Sequence, residues 1–223
     1  NNSGSWEQVG NDITDKHPSL NNNVGNFVQI SSDGQIVAFS AHERGNGFVR
    51  VYENKSGNWT QIGTDIKSQR SNDYMGHSIS LSDDGKLIAI GAYGNDGDQG
   101  KDNVGHVRLF GNYGGTWRQI NIDIQGDNSN DWAGFAVALS GDDSKVAVGA
   151  KWNDSNGRDS GQVKVLTHYP KIIDNGFSQK GVNEGHASQV DRFQVTTESV
   201  NWSLTGADAS AFIMDGEFLK FKA

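Results

Sequence analysis

The densest run of oxygen donors in the chain is Tyr93-Gly-Asn-Asp-Gly-Asp-Gln-Gly-Lys-Asp-Asn-Val104, which carries Asp96, Asp98 and Asp102 at alternate or near spacing. Carboxylates placed this way suit a hard cation such as Ca²⁺, whose coordination shell is built from oxygens. Asp127 with Asp131, and Asp154 with Asp159, form lesser sets of the same kind in residues 125–132 and 151–160. Polar loops are rich in Asp, Asn and Gly for conformational reasons alone, and that bland reading competes at each set. The same loops hold Tyr74, Tyr93, Trp132 and Trp152. Aromatic rings among hydrogen-bonding side chains suit protein or glycan contacts. Trp132 takes the place of Tyr74 in its repeat, so packing between repeats competes there too.

Catalytic constellations do not assemble. The chain has no cysteine and therefore no thiol nucleophile. Its 6 histidines are scattered, without a His-Glu-x-x-His or similar ligand spacing. There is no Gly-x-Ser-x-Gly elbow, and Gly94, Gly97 and Gly100 lack the context of a phosphate loop. Acid pairs are plentiful, so carboxylate spacing alone does not exclude a glycosidase. The expectation is a protein that is not an enzyme.

The elements that must carry these loops recur three times. Ser78-Ile-Ser-Leu-Ser82 alternates polar with apolar residues, the period of a half-buried strand. Lys86-Leu-Ile-Ala-Ile-Gly-Ala92 is nearly continuous in apolar residues, as for a strand covered on both faces. His106-Val-Arg-Leu-Phe110 follows, with Val49-Arg-Val-Tyr52 and Val163-Lys-Val-Leu166 as counterparts. A Trp-x-Gln-Ile segment closes the unit at Trp59 and Trp117, and Trp6-Glu-Gln-Val opens the chain. The recurrence, at roughly 55 residues, marks a solenoid, propeller or array. Repetition of a large apolar side chain at one place reads Trp6, Trp59 and Trp117 as packing residues.

Asp-Gly and Ser-Gly turns join successive segments, so each unit is a four-stranded antiparallel sheet, the blade of a β-propeller. The long loops then share one face. The expected fold class is all-β, with about three propeller-type blades, incomplete or part of a larger propeller. A strand of the last type precedes the first blade, and none follows the third. This points to a missing upstream part or to closure by another chain.

Gly25, Gly76 and Gly134 before the first strand, with Ser/Gly-Ala after the second, resemble the FG-GAP repeat of integrin α-type propellers over residues 6–166. The Leu-Ser-x-Asp-Gly turn and Trp-x-Gln-Ile strand resemble the variants found in bacterial and algal surface proteins. The turns between the first and second strands of each unit lack the Asp-x-Asp-x-Asp-Gly pattern of a calcium loop. Val200-Asn-Trp-Ser-Leu-Thr-Gly-Ala-Asp-Ala-Ser-Ala-Phe212 and Gly216-Glu-Phe-Leu-Lys-Phe221 resemble part of a bacterial cadherin-like sandwich. The organisation expected is FG-GAP-like repeats over 1–168, a linker over 169–188 and a partial cadherin-like β-sandwich segment over 189–223.

Composition restricts the partners. With 29 Gly, 2 Pro and a net charge of −8, the chain suits many short strands and argues against nucleic acid or an anionic membrane. No apolar run has membrane-spanning length. Asn-x-Ser/Thr sequons stand at Asn1, Asn54, Asn58, Asn153 and Asn201. The resemblances imply an extracellular or cell-surface module for adhesion or for building a surface layer or filament, by contact with other protein chains or by self-association, with calcium as an assisting ion. A glycan-binding propeller is the alternative, and an accessory region of a secreted hydrolase the second.

Overall fold

The computed structural model describes residues 4–15, 23–43, 46–97 and 101–167, together with the strands Phe212–Asp215 and Phe218–Phe221. The chain falls into two units, Asn1–Ile172 and Ile173–Ala223. Among the described residues every regular element is a strand.

The first sheet orders β1 (Val28–Ile30), β2 (Ile36–Glu43), β3 (Asn46–Lys55) and β4 (Asn58–Gln61), and β5 (Ile66–Lys67) also pairs with β3. The second orders β6 (Ser78–Leu81), β7 (Leu87–Ala92), β8 (His106–Tyr113) and β9 (Thr116–Gln125). The third holds β10 (Ala133–Leu139), β11 (Lys145–Ala150) and β12 (Gln162–Thr167). All pairings within these sheets are antiparallel, and all but that of β3 with β5 join strands consecutive in the chain. These are all-β blades of propeller type, as the repeat implies.

The apolar run in β7 has a direct cause. Ile88, Ile90 and Ala92 pack into a core shared with the first sheet, through Ala38, Val49 and Val51. Leu87 and Ala89 turn the other way, into a core shared with the third sheet through Val146, Val148 and Ala150. The period-two alternation of a strand thus serves two interfaces at once. Gly91 lies where the inner strands meet, and a Cβ there would fall 2.1 Å from the carbonyl oxygen of Gly134. Ser78 Oγ donates to that same carbonyl at 2.8 Å, and Leu139 N donates to Ser80 Oγ at 2.9 Å. Glycine and serine at these positions let two sheets approach backbone to backbone.

The recurrent Trp-x-Gln-Ile-x-x-Asp segment is a fastener. Trp59 Nε1 donates to the carbonyl of Val9 at 2.8 Å, and Trp117 Nε1 to that of Ile62 at 3.1 Å. Each indole thus reaches the equivalent backbone position one repeat earlier. Gln61 and Gln119 bind Asp65 and Asp123 at 2.9 and 2.7 Å. Arg50 and Arg108, on the neighbouring strands, bind the same carboxylates at 2.8 and 2.9 Å. The sheets differ in one respect. Gly63, with φ +70°, breaks the outer strand of the first sheet into β4 and β5. Asn121 holds that place in the second, where β9 runs on and a register irregularity between Val107 and Leu109 absorbs the difference. Residues 6–13, expected as a strand, have no strand assignment among the described residues.

The β1–β2, β6–β7 and β10–β11 turns are closed by their own side chains. Ser31, Ser82 and Ser140 donate to Asp33, Asp84 and Asp142 respectively, and each serine Oγ accepts an amide five residues on. Where the first two turns have Gly34 and Gly85 at positive φ, the third has Asp143 at φ +58°. Burial, with Asp84, Asp142 and Asp83 nearby, pushes the Asp143 carboxyl up to about 6. Between pH about 4 and about 6 the folded chain holds a proton that the unfolded chain has released. Stability therefore falls as pH rises through that window, and the whole penalty is felt above it. Asp143→Gly removes both the charge and the left-handed strain. It is expected to stabilise by about 1–2 kcal/mol at pH 7.5, discounted for solvent screening, and by less at pH 4. Urea unfolding at the two pH values checks this.

In the second unit, β13 (Phe212–Asp215) and β14 (Phe218–Phe221) form an antiparallel hairpin with Phe212 opposite Phe221. The 169–188 linker and the rest of the 189–223 cadherin-like segment lie outside the described residues.

Candidate functional site

The long loops are positioned by a pair of buried polar latches that repeat. Asn95 Nδ2 donates to Asp73 Oδ1 at 3.0 Å, and Asn153 Nδ2 to Asp131 Oδ2 at 2.8 Å. All four residues are buried. Ser68 Oγ completes the first latch by donating to Asp73 Oδ2 at 3.0 Å. In the second, Asp131 Oδ2 also accepts the amides of Asp127 and Asn128. Each latch ties the loop entering a sheet's first strand to the loop between its second and third strands. A buried carboxylate is retained only when its acceptors are occupied, and these are.

The latches aim the aromatic residues. Tyr74 and Trp132 directly follow Asp73 and Asp131, and both are held at positive φ, +54° and +56°. Left-handed backbone is uncommon for large side chains, and the surrounding bonds impose it. Gly94 permits the approach, since a Cβ there would fall 2.4 Å from the carbonyl of Asn72.

The result is a continuous run of rings. Tyr74 stacks on Tyr93 with centroids 5.0 Å apart, and Tyr93 meets Trp132 at 4.9 Å. Trp132 meets Trp152 edge-on at 6.1 Å. Phe135 and His77 fill the inner side, at 5.6 and 4.5 Å from Tyr93, and His77 reaches Phe27 at 5.5 Å. Lys151 Nζ stands 4.7 Å from the centroids of both Phe135 and Trp152. Partial burial, with Tyr74 close by, raises the Tyr93 phenol above its ordinary value. Tyr74, Tyr93 and Trp132 are half-buried and Trp152 is exposed. The four aromatic residues singled out in the sequence are thus brought together. Phe135, His77 and Lys151 complete the array without a local sequence signal. Only the superposition of repeats, with Phe135 in the place of His77, points to them.

The acidic residues do not converge. Among the described residues no three of His, Cys, Asp and Glu are placed to share a metal ion. Asp131 is spent on its latch, and Asp127 pairs with Lys164 at 2.7 Å. Asp96 Oδ1 accepts the Asn103 amide at 3.0 Å, and Asp154 Oδ1 that of Asp159 at 2.7 Å. Asp159 also faces Arg158 at 3.5 Å. Asp102 is exposed, and its backbone carbonyl accepts the Asn130 amide at 2.8 Å. Asp98 lies outside the described residues. The sequon asparagine Asn153 is fully buried in its latch, so the folded loop does not offer it for glycosylation.

Comparison with known proteins bears on the module that presents this face. Residues 125–166 match the FG-GAP repeat. The matched stretch covers the second latch, Trp132, Trp152 and the third sheet. No curated protein matches the chain. Similar solved structures include a hypothetical selenium-binding protein of Sulfolobus tokodaii, at 10% identity and TM-score 0.42 over 65% of this chain and 38% of that one. TolB of Acinetobacter baumannii is similar at 17% identity and TM-score 0.38, over 68% of this chain and 34% of that one. The chain therefore spans little more than a third of either structure. No helix among the described residues is long and apolar enough to cross a membrane.

Proposed function

We propose that this chain is a non-enzymatic extracellular or cell-surface module that binds protein partners through its loop face, in adhesion or in building a surface layer or filament. The observation that carries the reading is the aromatic array Tyr74–Tyr93–Trp132–Trp152, held on rigid latches and open to solvent at Trp152. Rings fixed before binding lose little entropy on contact, and clustered Trp and Tyr are the side chains that dominate interface energetics. The FG-GAP match over the loops that carry Trp132 and Trp152 supports a protein-contact role.

Calcium enters this reading as an assisting ion, confined to the loop with Asp96, Asp98 and Asp102. The experiment is retention of chain-coated beads on plates coated with extracellular matrix and cell-surface protein extract. Trp152→Ala is expected to weaken retention by about tenfold or more, with folding stability unchanged within about 0.5 kcal/mol because the ring is exposed. Equal retention of wild type and variant would remove the loop-face reading. Loss of binding on enzymatically deglycosylated extract would move it to glycans. Equal retention in Ca²⁺ and in chelator would remove the cation.

A further inference from the structure

The two ends of the blade array expose complementary surfaces. On the first sheet Val28 and Ile30 are 56% and 59% exposed. Their counterparts in the second sheet, Ile79 and Leu81, are buried against the sheet before them. On the third sheet Val163 and Val165 are 72% and 65% exposed, beside a cavity of about 380 Å³ lined in part by Phe135, Ala136 and Gly149. These are the two halves of one blade-to-blade interface, each lacking its other half among the described residues.

Residues 6–13 supply a second half-interface. They lie where the outer strand of a preceding blade would lie, because Trp59 binds the Val9 carbonyl as Trp117 binds that of Ile62. Gln8 Nε2 holds Asp12 Oδ1 at 2.9 Å, as Gln61 holds Asp65 and Gln119 holds Asp123. Among the described residues no arginine of a neighbouring strand reaches Asp12. The third sheet has the reverse deficiency. Lys164 stands in the position of Arg50 and Arg108, yet no strand borders the outer edge of β12 among the described residues, and its ammonium reaches Asp127.

We propose that this chain assembles head to tail with a second copy, residues 6–13 of one copy completing the third blade of the other. Seating the third sheet of one copy before the first sheet of the next buries Val28 and Ile30. The same movement sets residues 6–13 beside β12, so one placement satisfies both half-interfaces. The register follows from Tyr52 opposite Gln61 and Phe110 opposite Gln119, which place Leu166 opposite Gln8. Asp12 then meets Lys164. A two-fold arrangement of the two copies uses both junctions. The inference does not depend on the loop-face reading.

Charge swapping tests it by light scattering and sedimentation. Wild type is expected as a dimer. Asp12→Lys and Lys164→Glu, each alone, place like charges at both junctions and are expected to weaken association by about tenfold or more. Their one-to-one mixture pairs Lys with Glu at one junction and Asp with Lys at the other, and is expected to recover the dimer, which also shows that each variant folds. The chain has no cysteine, so Gln8→Cys with Leu166→Cys adds a covalent readout of the register. A disulfide between copies supports the assembly. A wild type monomeric at all concentrations, variants that associate like wild type, a mixture that stays monomeric, or a disulfide within one chain would overturn it.

Discussion

Asp131→Ala is expected to lower stability by about 3–4 kcal/mol and the melting temperature by roughly 10 °C, the upper part of the range for a single substitution in a domain of this size. The carboxylate accepts three hydrogen bonds at one oxygen, from the amides of Asp127 and Asn128 and from Asn153 Nδ2, in a site 1% exposed. Truncation leaves the buried Asn153 Nδ2 and the two loop amides without their shared acceptor. Each orphaned donor costs on the order of 1–3 kcal/mol, with losses that overlap because all three share one partner. The damage is local as well as global. Trp132 loses the turn that fixes its left-handed backbone, so its fluorescence is expected to shift to the red before global unfolding. Asp131→Asn retains one acceptor and is expected to keep about half the loss. Asp127→Ala removes an exposed side chain and keeps the amide that the latch uses, and is expected to change stability by less than about 1 kcal/mol. Were Asp131 to act as a cation ligand, Ca²⁺ would raise the wild-type midpoint and leave Asp131→Ala unmoved.

How much of this was legible in the sequence depended on whether a signal repeats. The strand order was, because β6 alternates, β7 is apolar throughout, and the first two of the repeated turns carry Asp-Gly at a fixed offset. The break in the first sheet's outer strand was not, since it turns on Gly63 against Asn121, a single difference inside an otherwise repeated segment. At the loop face the aromatic residues were legible as a group, because Tyr74 and Trp132 share a repeat position. Their contact with Tyr93 and Trp152 rests on a fold in which loops far apart in sequence meet. The acidic residues show the opposite case. Asp127 and Asp131 look alike in the sequence, yet one is exposed beside a lysine and the other is buried beneath a tryptophan turn. The distinguishing signal was available in the pairing of Asp73 with Asn95 and Asp131 with Asn153, two pairs at equal separation. It is a signal for a latch, since a carboxylate and an amide at matched positions in the second and third repeats answer a structural need.

His106→Phe is expected to remove a pH-dependent loss of stability of up to about 3 kcal/mol. The imidazole is 1% exposed, and burial, then the charge of Arg108, push it down to about 4 despite Asp123 nearby. Its Nδ1 stands 3.7 Å from Asp123 Oδ2 and has no hydrogen-bond partner among the described residues. The unfolded chain binds a proton at His106 as pH falls below about 6.5, while the folded chain resists until about 4. Stability therefore declines across that window by up to about 1.4 kcal/mol per pH unit and is fully present above it. Asp143 acts in the opposite sense between about 4 and 6, so the raw wild-type curve understates both effects. The difference between wild type and variant isolates the histidine. Phenylalanine is the substitution of choice because Phe48 holds the equivalent place in the first sheet, beneath Arg50 at 4.4 Å. Urea unfolding in steps from pH 7 to pH 4.5 is expected to give converging midpoints at neutral pH and a variant progressively more stable than wild type in acid. Parallel curves would show that His106 is protonated in the folded state, and with it that its buried site on β8 admits a charge.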